Sequence, residues 1–207
     1  MMIFTEEFLG RGPYFKLTNP TFDTAVTMGI RTAFSATNNV LFCMVTNGLR
    51  KVIPHYLRLI CGVAGASTTS SRLAIVMDNI NRYSSGGTDY VANARDMRQG
   101  SNDSPALSLI RYACTCVAAN APRNVANLGL KTQAAPCWTV GDQVLIKFGD
   151  GQDTDVATGT GPMSIVRHVG PCMLEGVNQS LLFHMWNIAN ATTAPSWEWE
   201  LAWKEVT

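Results

Sequence analysis

The chain has 207 residues, 46% of them hydrophobic and 15% charged, and 16 Lys and Arg against 15 Asp and Glu leave a net charge of +1. That length suits one all-β domain, or at most two small ones. The apolar content excludes a disordered chain, and the sparse, balanced charge excludes a surface built to track nucleic acid. The N-terminus has no basic start, and Glu6 and Glu7 interrupt its apolar stretch, the reverse of a secretory leader. No apolar run approaches the roughly 18 residues of a membrane-spanning helix. A soluble chain made in the cytoplasm, with neither a membrane nor a nucleic acid as partner, is expected.

Residues 1–20 lack a core pattern and read as an extended N-terminal arm, with Phe4, Phe8, Tyr14 and Phe15 as contact side chains. Residues 21–207 read as a single β-sandwich domain. Short runs rich in Val, Ile, Leu, Thr and aromatics, separated by Gly, Pro, Asn and Ser, predict strands over 24–34, 39–46, 50–63, 72–80, 107–118, 125–133, 142–149, 164–174, 180–189 and 197–206. The fold class expected is all-β, a jelly-roll-like sandwich with long polar loops. Asn47-Gly48 suits a type I′ turn, because both positions tolerate positive φ, and predicts a hairpin. Pro54 lacks an N–H and predicts an edge or a bulge in its strand. Loops are expected over 62–71, 84–105 and 149–162.

Two segments near the C-terminus carry the strongest pattern. Ser-Leu-Leu-Phe-His-Met-Trp-Asn-Ile (180–188) has large apolar groups on both faces, as a central strand covered on both sides would. Ser-Trp-Glu-Trp-Glu-Leu-Ala-Trp-Lys-Glu-Val (196–206) alternates strictly, with Trp197, Trp199, Leu201 and Trp203 on one face and Glu198, Glu200 and Lys204 on the other. Such a row closes a core, and part of it can reach an interface. Trp197, Trp199 and Trp203, with Trp138, join the candidate contact residues.

Chemistry is harder to find. There is no nucleophile elbow and no phosphate-binding loop. His55, His168 and His184 sit in strand-like runs, where packed or surface histidines are the ordinary outcome. Asp150, Asp153 and Asp155 share a Gly-rich loop, but the spacing is not that of a calcium-binding EF-hand. Glu198 and Glu200 are about 7 Å apart, as any alternate pair on a strand face is, so an alternating solvent face explains them. Of the six cysteines, Cys43, Cys61, Cys114 and Cys116 lie in apolar strand-like segments. No C-x-x-C pair is present, and the histidines are not at ligand spacing. Buried free thiols are expected, with no metal, no cofactor and no catalytic residue.

The run Val169-Gly-Pro-Cys-Met-Leu-Glu-Gly-Val-Asn-Gln-Ser-Leu-Leu-Phe-His-Met-Trp, followed by Ala-Pro-Ser-Trp-Glu-Trp-Glu-Leu-Ala-Trp-Lys-Glu, resembles the ending of short virion proteins of tailed bacteriophages. Leu17-Thr-Asn-Pro, Phe34-Ser-Ala-Thr-Asn, Tyr56-Leu-Arg-Leu-Ile-Cys and Asn81-Arg-Tyr-Ser-Ser-Gly-Gly-Thr are similar to the same group in the same order. Glu175-Gly-Val-Asn departs from the Pro/Gly turn expected there. The resemblance implies a jelly-roll-like structural protein without catalytic residues. It points to a capsid decoration or cement protein on the outside of the virion, with the major capsid protein and its own copies, as a homotrimer, for partners. The alternative is a lectin-like fibre protein that stacks an exposed Trp138 or Tyr90 on sugar rings.

Overall fold

The structure, a computed structural model, describes residues 13–19, 24–27, 33–38, 40–65, 70–90, 95–97, 108–131, 138–157, 162–188 and 195–206. These residues carry strands β1 (Tyr14–Thr18), β2 (Val26–Thr27), β3 (Val40–Val45), β4 (Lys51–Val63), β5 (Ser70–Asp78), β6 (Tyr83–Ser85), β7 (Thr88–Asp89), β8 (Arg95–Asp96), β9 (Leu109–Cys116), β10 (Arg123–Lys131), β11 (Gln143–Phe148), β12 (Thr154–Ala157), β13 (Met163–Val169), β14 (Ser180–Ile188) and β15 (Ser196–Val206). They form two sheets. One runs β12-β13-β11-β4-β15-β1-β8, and the other runs β10-β5-β14-β3-β9-β6.

Among the longer strands, β1, β3, β4, β5, β10, β11, β14 and β15 change sheet at every step but one. They give the two four-strand sets β1-β15-β4-β11 and β3-β14-β5-β10. That is the strand order of an eight-stranded jelly roll. The remaining strands extend its edges. β13 lies parallel to β11 and carries β12, while β9 extends the second sheet beyond β3 and carries β6 and β7.

This order overturns the hairpin expected at Asn47-Gly48. β3 and β4 lie in opposite sheets, so the dipeptide makes a corner between layers. Local turn chemistry is still present. Gly48 has φ +79°, and the Leu49 N–H donates to Asn47 Oδ1 at 3.0 Å. A two-residue preference for positive φ does not say which sheet the next strand joins. Pro54 sits at a bulge, where the register against β15 slips between Ala202 and Trp203. The unexpected Glu175-Gly-Val-Asn segment turns through Asn178, at φ +61°, a conformation that Asn tolerates better than most side chains.

The arm expected over residues 1–20 is also corrected at its end. Tyr14–Thr18 is a full strand, antiparallel to β15 from Tyr14↔Lys204 to Thr18↔Glu200. Its alternate residues Phe15 and Leu17 enter the core. The alternation runs for only five residues, so it carried little periodic signal.

Inner faces of both sheets fill the core. From one side come Leu57, Leu59, Val144, Ile146, Trp197, Trp199, Leu201 and Trp203; from the other come Phe42, Met44, Leu73, Ile75, Leu181 and Phe183. Trp199 is the hub. It stacks on Tyr112 with centroids 5.8 Å apart and meets Phe42 edge-on at 4.7 Å and Tyr90 at 5.3 Å. Each buried indole removes about 200 Å² from water, at most about 5 kcal/mol of transfer free energy.

Candidate functional site

The aromatic residues expected at an interface are placed elsewhere by this core. Phe15, Trp138, Trp197 and Trp203 have no solvent exposure, and Trp199 has 3%. Phe15 stacks on Trp203 at 5.5 Å, Trp138 meets Trp197 edge-on at 4.7 Å, and Trp138 Nε1 donates to Ser71 Oγ at 2.8 Å. Their role is corrected from contact to core: burial between the sheets leaves no surface for a partner. Tyr14 is half-buried, edge-on to His55. Phe4 and Phe8 lie outside the described residues. Tyr90 is buried too, so neither aromatic assigned to sugar stacking is exposed.

The acidic candidates are engaged in ordinary contacts. Glu200 accepts from Tyr56 Oη at 2.6 Å and pairs with Lys16 Nζ at 2.7 Å. Burial acts to raise its carboxyl, but those two donors outweigh it and hold the pKa below its usual value. Asp153 Oδ1 accepts the backbone N–H of His168 at 2.7 Å.

Two small apolar patches do reach the surface. Leu49 and Val177 are 72% and 65% exposed, and Gly48 brings them together by lying against Val177. Val63 and Val140 are also exposed. Gly141 N donates to Cys61 O at 2.8 Å, which keeps the turn carrying Val140 beside the end of β4. The patches therefore mark opposite ends of β4, whose 13 residues span about 40 Å.

The densest gathering of reactive groups lies on the outer face of the second sheet. Cys43 on β3 and Cys114 and Cys116 on β9 bring their three Sγ atoms within 4.8 Å of one another, all buried. Alternation puts Cys114 and Cys116 on one face. Ala113 adopts φ +54°, which breaks the regular pleat just before Cys114. Val40, Val45 and Leu182 pack around the thiols as a second small core. Segment 33–38 and the turn after β5 close over it: Cys116 N donates to Thr37 O at 2.7 Å and Val117 N to Arg82 O at 2.8 Å. Arg82, 1% exposed, clamps this cover by donating to Asp78 Oδ2, Val117 O and Ala36 O at 3.0, 2.8 and 2.7 Å.

Hydrogen bonds from Cys116 and Cys43 act to hold the Cys114 thiol below its usual value, with Arg111 adding a smaller favourable charge. The same sharing pushes Cys116 and Cys43 above theirs. His184, on the same face of β14 as Leu182, is buried, and its pKa falls to about 4 through desolvation and the nearby charge of Arg82. A hydrogen bond with the Ser35 backbone holds its ring, and Nδ1 has no hydrogen-bond partner. The buried free thiols expected from sequence are present for Cys43, Cys61, Cys114 and Cys116. Their convergence was not foreseen, since Cys43 stands 71 positions before Cys114.

No protein-family model, curated protein or solved structure matches this chain.

Proposed function

We propose that the chain is a structural protein of a tailed-bacteriophage particle, a decoration or cement protein on the outside of the head. It would bind the major capsid protein and, as a homotrimer, its own copies. The strand order carries this reading: jelly rolls recur in viral capsid and lectin domains, and the sequence resemblance is to virion proteins. The apolar pairs Leu49/Val177 and Val63/Val140, at opposite ends of the longest strand, suit a body that bridges two neighbours. Adhesion here rests on burying small apolar patches many times over, by symmetry. The lectin-like alternative loses support because Trp138 and Tyr90, its sugar-stacking residues, are buried.

The test is binding to purified, undecorated heads of the encoding phage, beside binding to host cell-wall polysaccharide. Wild type is expected to saturate heads at a stoichiometry fixed by capsid symmetry. Leu49→Asp with Val177→Asp, or Val63→Asp with Val140→Asp, should lower occupancy while leaving the fold intact, because these side chains face solvent. Absence from purified particles, or binding to polysaccharide alone, would overturn the proposal.

A further inference from the structure

We propose that Cys43, Cys114, Cys116 and His184 form a structural site for a soft divalent ion of the zinc class, bound by three thiolates and the His184 Nδ1. The inference is independent of the virion reading. Four observations carry it. First, three sulfur donors from two strands lie within 4.8 Å of one another. A tetrahedral ion with Zn–S distances of about 2.3 Å needs S···S separations of about 3.8 Å, so closing the three sulfurs on an ion asks for about 1 Å of movement or less.

Second, a buried imidazole on the neighbouring strand has an unpartnered Nδ1. Its nitrogens lie outside the group that the three sulfurs form, and Val40 stands between His184 and Cys114 across the sheet, so the ring has to swing toward the ion to become its fourth donor. The other side of the ring is held by the Ser35 backbone, the support a metal-bound histidine usually has, since it fixes the tautomer and strengthens the donor. Third, two guanidinium groups flank the cluster: Arg82 donates to Val117 O beside Cys116, and Arg111 pairs with Cys43 across the sheet. Each already pairs with a carboxylate, Asp78 at 3.0 Å and Asp89 at 2.7 Å, so they lessen but do not cancel the negative charge of a three-thiolate ion. Fourth, a positive-φ alanine precedes Cys114. Strained backbone of this kind concentrates at ligand sites.

Sulfur with one imidazole selects zinc-like ions over hard cations. Binding would release the thiol protons to solvent. The site is sealed by segment 33–38 and Arg82, so the ion enters while the chain folds, and the test is a refolding one.

The full chain is unfolded in denaturant with a phosphine reductant and refolded with Zn²⁺, with Co²⁺, or with a chelator. Metal is then measured after exhaustive dialysis. The expected result is about one zinc per chain, with a higher thermal midpoint than the chelator-refolded protein. The Co²⁺ form should show sulfur-to-metal charge transfer and the intense visible bands of a tetrahedral centre. Cys43→Ser and Cys116→Ser should each lose the bound ion, while Cys61→Ser and Cys172→Ser should keep it. His184→Ala should keep the charge transfer and lose the tetrahedral visible bands. Circular dichroism of each variant separates loss of metal from loss of fold. No retained ion in the wild type, a Co²⁺ spectrum without thiolate charge transfer, or equal loss in Cys61→Ser would overturn the site. An unchanged Co²⁺ spectrum in His184→Ala would overturn the fourth donor.

Discussion

Replacing Arg82 by Met keeps most of the side chain's apolar stem and removes its charge. The guanidinium is 1% exposed and the Asp78 side chain is fully buried, with 3.0 Å between them. Removing one member of a buried ion pair costs about 3–5 kcal/mol. Two effects pull on that figure here. Asp78 keeps N–H donors from Asn79, Asn120 and Ala121, which lowers the cost. The carbonyls of Ala36 and Val117 lose the donors they had, at about 1 kcal/mol or more each. The balance leaves about 3–5 kcal/mol. For a chain of this size, 1 kcal/mol moves the midpoint by about 2–4 °C, so Arg82→Met should melt about 10 °C below wild type. Urea unfolding followed by tryptophan fluorescence gives the free energy. Asp78→Asn and the double variant complete a cycle with an expected coupling of about 1–3 kcal/mol. A loss below about 1 kcal/mol, or strict additivity, would refute the reasoning that Arg82 clamps three segments through a desolvated charge.

Three further outcomes are expected. Trp199→Ala, at the hub of the aromatic core, should destabilise by about 3–5 kcal/mol in urea, and Trp199→Phe by clearly less. Gly86 and Gly87 both have positive φ, +68° and +74°, but a Cβ at Gly86 meets nothing, whereas one at Gly87 meets Tyr112 backbone O at 2.5 Å and Cys114 Cβ at 2.8 Å. Gly86→Ala should therefore cost about 1 kcal/mol and Gly87→Ala about 3 kcal/mol or more, and equal thermal shifts would contradict the geometry. Burial acts to raise the Asp78 carboxyl, yet the N–H groups of Ala121 and Asn120, then Arg82 and Asn79, hold it below its ordinary 3.8. The unfolded chain thus binds this proton more readily than the native one. The stabilisation is complete above the ordinary value and is lost as pH falls through the lower native one. Urea midpoints should fall more steeply below about pH 4 in wild type than in Asp78→Asn.

Periodicity exposed the strands because each is local. The row Trp197, Trp199, Leu201, Trp203 marked the core face of β15, although Ala202 and Lys204 on its other face are buried as well, and the two-sided apolar run 180–188 could only be central; β14 does lie between β5 and β3. What periodicity does not carry is partnership. Asn47-Gly48 reads the same at a hairpin as at a corner between layers. Trp138 sits in loop-like sequence yet lies under Trp197, because its place is set by a strand 59 residues away. Cys43 looked like one more small hydrophobe until the jelly roll set β3 beside β9. The sign available in sequence was Cys114-Thr-Cys116, two thiols on one face, which lacked its third member.

β14 hydrogen-bonds to β3 on one side and β5 on the other, and it is roofed both by the main core and by the small thiol-lined one. Its amides have no local route to solvent. They should be the last in the molecule to trade hydrogen for deuterium, reporting only those rare moments when the whole sandwich comes apart, while the rim strands open and close many times over.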